Sequence, residues 1–277
     1  MGGMKHVLLA LLLISLAAPA ATLSAQTPTA SETWVLTRVR EGDTVMATAP
    51  FSNGITIIAR CAYHRLDLIL AGLPEPQDAA GRSRQLTLVF GDDRTERPTA
   101  WYVASDRTAA FSRLPSSTTR RLLKGGELQI VVPAPAGEPR TRYVMSLGPS
   151  VSELGQVLTH CGRPTVDPDD ELLQGDGGNA LPGGMIWTRP PAVDYPRATV
   201  HGTPSWGTAT LRCDVAADGR PRDCDIESEF PVGFGFGQAA RRGAGTARIG
   251  LDDEAIAAGR TLGDGRIAFT INFRMAD

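Results

Sequence analysis

The sequence predicts a mostly β chain that finishes in a small α+β unit. An N-terminal β-sandwich-like domain with a closing helix is followed by a three-stranded antiparallel sheet carrying a helix. Three observations predict this. Before residue 163, eight short β-prone runs are separated by Gly, Pro and Asp clusters, the spacing of a sandwich or barrel. From Pro164 to Pro190 the composition shifts to Gly, Pro and Asp with little apolar periodicity, as in a linker. At the end, Ile267, Phe269, Ile271 and Phe273 alternate with Arg266, Ala268, Thr270, Asn272 and Arg274, which predicts a strand with one buried and one wet face. The expected boundaries are 1–25, 26–163, 164–190 and 191–277.

In chain order, the first segment is MGGMKHVLLALLLISLAAPAATLSAQ. A charged start at Lys5, an apolar run from Val7 to Leu16 and small residues before Ala20 or Ala25 make a secretory signal peptide. The run is short for a bilayer span, which needs about 20 residues. An uncleaved anchor is the alternative. An exported chain reaches an oxidising compartment, the periplasm, where disulfides persist. The net charge of −2 argues against a nucleic-acid footprint.

The β-prone runs are Trp34–Arg38, Thr44–Ala49, Ile55–Cys61, Leu66–Leu70, Leu86–Phe90, Ala100–Ala104, Leu128–Val132 and Arg142–Leu147. Ser117–Lys124 starts on Ser/Thr and stops at Gly125-Gly126, so it reads as a helix. Ser150–His160 places Val151, Leu154, Val157 and Leu158 at helical spacing. Within the linker, Met185-Ile186-Trp187 is apolar enough to dock on a domain. Beyond it come a short helical turn at Tyr195–Val200, strands at Thr208–Ala217 and Arg220–Glu227, a helix at Phe236–Ala247 and the strand Arg266–Arg274.

Asp218-Gly219 between two β-prone runs is a hairpin signal, because a two-residue type I′ turn needs positive φ at both positions. Counting outward from that turn sets Cys213 opposite Cys224, at a hydrogen-bonded pair with Cα atoms about 5.5 Å apart, within disulfide range. Leu211, Cys213, Val215, Cys224 and Ile226 then share the core face. Arg212, Asp214, Asp223 and Asp225 share the wet one. A three-residue turn would put the sulfurs on opposite faces. If Cys213 and Cys224 pair, Cys61 and Cys161 pair as well, one of three connectivities open to four cysteines. A rival reading gathers Cys61, His64, His160 and Cys161 into a zinc site.

VDYPRATVHG, the strand–Asp-Gly–strand pair, ESEFPVGFGFGQAARRGA and the closing strand together resemble the C-terminal domain of TonB-like energy transducers, over about residues 191–273. The matching positions are Tyr195, Pro196, Ala198, Gly207, Asp218-Gly219, Glu227, Ser228, Gly233, Gly235, Gly237 and Ala239-Ala240. The chain departs from the family at Ala247-Arg248-Ile249-Gly250, where members carry Arg-Phe-x-Pro, and in lacking a long Pro-rich spacer. The resemblance implies the fold and a binding mode, in which a free sheet edge takes an extended segment of an outer-membrane transporter. The edge expected to do so is Arg266, Ile267, Ala268, Phe269, Thr270, Ile271, Asn272, Phe273 and Arg274. The N-terminal half faintly resembles periplasmic β domains of the invasion-associated-locus type.

No nucleophile–base motif is present, and His64, His160 and His201 are isolated. Val232–Gly237 is Gly-rich but lacks the Lys-Ser/Thr of a phosphate loop, so a turn and packing role is expected. Asp169-Asp170-Glu171 reads as a solvated acidic patch. The expectation is a periplasmic binding protein, not an enzyme, without cofactor or metal. Its partner is a protein, a TonB-dependent transporter in the resemblance. A homodimer, a structural envelope protein and a true anchored transducer are the open alternatives.

Overall fold

The computed structural model describes residues 29–30, 34–40, 43–76, 82–91, 93–134, 137–148, 151–170, 173–174, 178, 181–196, 204–263 and 266–275. The expected signal segment, Ser150, Glu171, Ala198 and His201 lie outside them. The chain is mostly β. The strands and helices are β1 (Thr29–Ala30), β2 (Val35–Val39), β3 (Thr44–Pro50), β4 (Thr56–Ala62), β5 (Arg65–Ala71), β6 (Ser83–Phe90), β7 (Asp93–Val103), β8 (Ala110–Ser112), α1 (Pro115–Leu123), β9 (Glu127–Val132), β10 (Thr141–Ser146) and α2 (Ser152–His160). Then follow β11 (Leu173–Gln174), β12 (Met185–Arg189), β13 (Trp206–Val215), β14 (Pro221–Phe230), α3 (Phe236–Ala244), β15 (Arg248–Leu251), α4 (Asp253–Ala257) and β16 (Arg266–Arg274).

The first ten strands form one sheet in the order β1-β10-β9-β6-β7-β8-β5-β4-β3-β2. Neighbours run antiparallel except β1, which lies parallel to β10. The expected sandwich is one continuous hydrogen-bonded sheet, and residues of β3–β5 share one core with residues of β6, β7, β9 and β10. Alternation sets its buried face: in β3 and β4 every second residue is buried, including Ala47, Ala49, Ala59 and Cys61. These are small side chains, and α2 packs on both strands there. Leu154, Val157 and Leu158 of α2 fill the same core as Ile57, Leu68, Leu86, Trp101 and Ile130. Cys161 at the end of α2 is bonded to Cys61 of β4, with Cα atoms 5.5 Å apart. That bridge closes a loop of 100 residues, worth on the order of 5 kcal/mol by chain entropy.

The second sheet runs β11-β16-β13-β14, with the three long strands antiparallel. Its core face carries Leu211, Cys213, Val215, Ile267, Phe269, Ile271 and Phe273 against Phe236, Ala239, Ala240 and Ala244 of α3. Tyr195 packs edge-on against Phe236 and Phe273. Gly207 is required by this packing, since a Cβ there would sit 2.1 Å from the Phe236 ring. The helix stops at Ala244, three residues before its expected end, at a Gly245 cap. The segment expected to be a bare linker is partly structured. Met185–Arg189 pairs with β15 and Trp187 meets Phe269 edge-on at 5.2 Å. β15 and α4 were not expected: Arg248–Leu251 and Asp253–Ala257 are too short for periodicity to mark.

The hairpin corrects the expected register. Ala216 N–H donates to the Arg220 carbonyl and Gly219 N–H to that of Ala216. The loop is thus three residues, with Gly219 left-handed at φ 77°. Val215 faces Pro221 and Asp214 faces Arg222, one step off the two-residue count. Asp223, left-handed at φ 48°, then bulges out of the ladder and restores the faces. Cys213 and Cys224 meet with Cα atoms 4.1 Å apart and are bonded. Both expected disulfides are present. The longer loop answers a packing demand: a Cβ on Gly219 would lie 2.1 Å from the Ile249 carbonyl, and Ile249 N–H donates to Gly219 O.

Candidate functional site

The face of the second sheet expected to be wet is buried at its centre, while Asp223, Asn272 and Arg274 on it are exposed as expected. Thr208, Thr210, Arg212, Ala268 and Thr270 are all buried, with Tyr102 of β7 on Thr210 and with β5 and α1 packed against β14. Tyr102 donates or accepts at Thr210 Oγ1 (2.9 Å), which bonds Thr270 Oγ1 at 2.7 Å. Tyr102 also stacks on Phe230, and the Arg82 guanidinium lies 3.7 Å over the Trp206 ring. Ser228 donates to the Arg113 carbonyl. Polar residues on an alternating strand predict solvent. Here Thr210 and Ser228 bond Tyr102 and Arg113 of the preceding half of the chain, and Thr270 bonds Thr210, while the Thr208 hydroxyl has no partner among the described residues.

A buried ionic cluster sits at the centre of this join. Arg120 of α1, its side chain 4% exposed, binds Asp170 with Nε at 2.5 Å and Nη2 at 2.6 Å, and reaches Asp167 at 3.3 Å. Arg212 of β13 reaches the same Asp167 at 3.0 Å and Asp170 at 3.4 Å. Its Nε faces Glu227 Oε1 at 3.4 Å. Glu227 is placed by a second bulge in β14, between Ile226 and Ser228. Its other oxygen accepts from Ser116 N–H in the first turn of α1, where the helix dipole favours an anion. Burial would raise the Asp167 carboxyl, but Arg212, the Asp169 amide and Arg120 outweigh it and hold it below the usual carboxylate range. The expected solvated acidic patch is thus a clamp: Asp170 grips α1, and Asp169 lies 3.4 Å from Arg266.

β16 was expected to be the free edge. On one side it pairs with β13 along its whole length. On the other, Leu173 and Gln174 run parallel to Arg266 and Ile267, and Thr270 N–H donates to the Gly178 carbonyl. The start of the edge is therefore occupied by the chain's own segment. Among the described residues, no strand lies beside Asn272 and Arg274 on that side.

A cleft of about 510 Å³ opens between the start of β5 and β14. Arg65 spans it to Glu229 at 2.6 Å, and Arg163 donates to the Ile226 carbonyl. Glu229 also accepts from Gly233 and Gly237 N–H, so the Gly-rich loop serves to seat α3, as expected. No sequence signal pointed to this cleft, since its walls lie some 160 residues apart. The zinc alternative is overturned, because the Cys61 and Cys161 sulfurs are bonded to each other. His160 instead contacts the Asp43 carbonyl at 2.9 Å, and His64 lines the cleft.

The disulfides are compatible with an extracytoplasmic setting, and among the described residues no helix is long and apolar enough to cross a membrane. No protein-family model, curated protein or solved structure matches the chain.

Proposed function

We propose that the chain is an exported, two-domain TonB-like binding protein that takes an extended segment of an envelope protein onto β16 by strand addition. The observation that carries this reading is the way β16 already takes an added segment. Leu173–Gln174 and the Gly178 carbonyl satisfy its outer backbone groups at Arg266–Ile267 and Thr270. Main-chain hydrogen bonds supply affinity in such recognition. A partner segment extends along Ala268–Arg274, or displaces the resident one. A TonB-dependent outer-membrane transporter is the partner class that the resemblance implies, and the role is binding, not catalysis.

The test is titration of the isotope-labelled chain with a transporter-derived peptide. Amide shifts clustered on Ala268–Arg274 are expected. An unmoved strand at high peptide concentration sinks the proposal. The burial of the sheet's polar face against the N-terminal half favours a second reading, a rigid disulfide-tied envelope scaffold. Capture from envelope extracts separates the two, yielding transporters in one case and wall or assembly factors in the other. N-terminal sequencing of the mature protein separates a free chain from an anchored transducer.

A further inference from the structure

Arg84 opens β6 opposite Trp101 and is only 8% exposed. Its Nη1 donates to the Pro74 carbonyl at 2.8 Å, while its Nε is buried with no hydrogen-bond partner. Among the described residues, no carboxylate lies within ion-pair distance of it. The contrast with Arg120 and Arg212 is plain, since both are as deeply buried and both are held by acids. Burial pulls the Arg84 pKa down, Tyr143 opposes this, and Arg107 adds to it. A buried cation without a counter-charge is costly, and the cost is relieved by an anion.

The space for one is present. Arg84 lines a cavity of about 410 Å³, within the range of small-molecule sites, walled by Pro74, Pro76, Pro133 and Pro139. A guanidinium presents a planar fork that matches a carboxylate. The balance of charge selects the class of anion. Among the described residues lining the cavity, Arg84 is the only cation, and the two acids, Glu75 and Glu138, are exposed at the rim. Glu75 is 3.7 Å from Arg107. With Glu75 offset by Arg107, the one buried cation matches a monoanion, whereas a dianionic phosphate carries one charge too many beside Glu138. The proline walls offer apolar surface to whatever carries the charge.

We infer that the cavity beside Arg84 binds a monoanionic carboxylate attached to an apolar body. Free organic acids and peptide chain ends share this chemistry. The site is separate from β16, so its test does not depend on the proposed strand addition. The arginine Nε–H signals of the full chain are followed at constant ionic strength. The probes are benzoate, an acetylated Pro-Leu dipeptide with a free carboxylate, the same dipeptide as its amide, and inorganic phosphate. The Arg84 signal is assigned by its loss in Arg84→Lys.

Saturable movement of that signal is expected with benzoate, the acid dipeptide or both, with half-saturation on the order of 1 mM. Benzoate alone identifies free acids, and the dipeptide alone identifies chain ends. Arg84→Lys keeps the charge but loses the fork, so affinity, followed in both chains by the backbone amide shifts of residues 83–85, is expected to fall by at least about tenfold. A signal unmoved by either carboxylate overturns the inference. So does equal movement with the amide or with phosphate.

Discussion

Replacing Arg120 by Met tests whether the two halves of the chain are joined by the ionic cluster. The side chain is 4% exposed and makes two charge-assisted bonds to Asp170, at 2.5 and 2.6 Å, and a longer contact to Asp167. Met roughly preserves the volume, so the cost comes from stranding two carboxylates that then share Arg212 alone. Breaking a buried pair from one side costs about 3–5 kcal/mol. Asp170 keeps 19% of its side chain in contact with solvent, which places the expected value near the lower end, about 3 kcal/mol. For a chain of this size that is a drop of about 6–12 °C in Tm. Asp170→Asn in the Arg120→Met background is expected to recover part of the loss. Urea unfolding followed by Trp fluorescence provides the measurement. A loss below about 1 kcal/mol, the value of a surface pair, refutes the reasoning.

Three further outcomes are expected. Because Asp167 is held below the usual carboxylate range in the folded chain, its contribution is complete above the unfolded value of about 3.9 and is lost as pH falls through the folded one. The Tm should thus fall below about pH 4, and Asp167→Asn should flatten that limb. Gly219→Ala meets the Ile249 carbonyl at 2.1 Å at a left-handed position, and Gly207→Ala meets the enclosed Phe236 ring; each is expected to cost at least about 1–3 kcal/mol by chemical denaturation. Replacing Cys61 and Cys161 together by Ser should cost about 5 kcal/mol, against about 3 for Cys213 and Cys224, since the first bridge closes a loop of 100 residues and the second one of 11. Equal losses would count against the chain-entropy account.

Local patterns were legible where one side of an element alone decides the outcome. β-Prone runs between Gly, Pro and Asp clusters located β3, β4 and β5 to within a residue or two, alternation located β16, and helical spacing located α2. The cysteine pairing was also legible, though by a count that the structure amends. The three-residue loop shifts the strands by one and the Asp223 bulge shifts them back, so the predicted pair survives two compensating changes. What escaped was anything set by distant chain. Arg212, Glu227 and Thr210 look like residues of a wet face because their partners, Asp167, Ser116 and Tyr102, are remote in sequence. β11 and the Gly178 contact were hidden by a composition that otherwise marks a linker. The Arg84 cavity carried no signal, because an arginine opening a strand is ordinarily solvated.

The bulge that aims Glu227 into α1 makes residue choice in one half of the chain answerable to the other. A change at Arg120 alters what is tolerable at positions 167, 170 and 212, and a change at Tyr102 alters what is tolerable at 210. Changes in the two halves are therefore expected to compensate one another, which interchangeable parts would not require. A protein built on the C-terminal sheet without the β-rich half before it is expected to carry ordinary solvent-facing residues where this chain has Arg212 and Glu227. Those two positions form a signature by which other chains of the same two-part construction can be recognised.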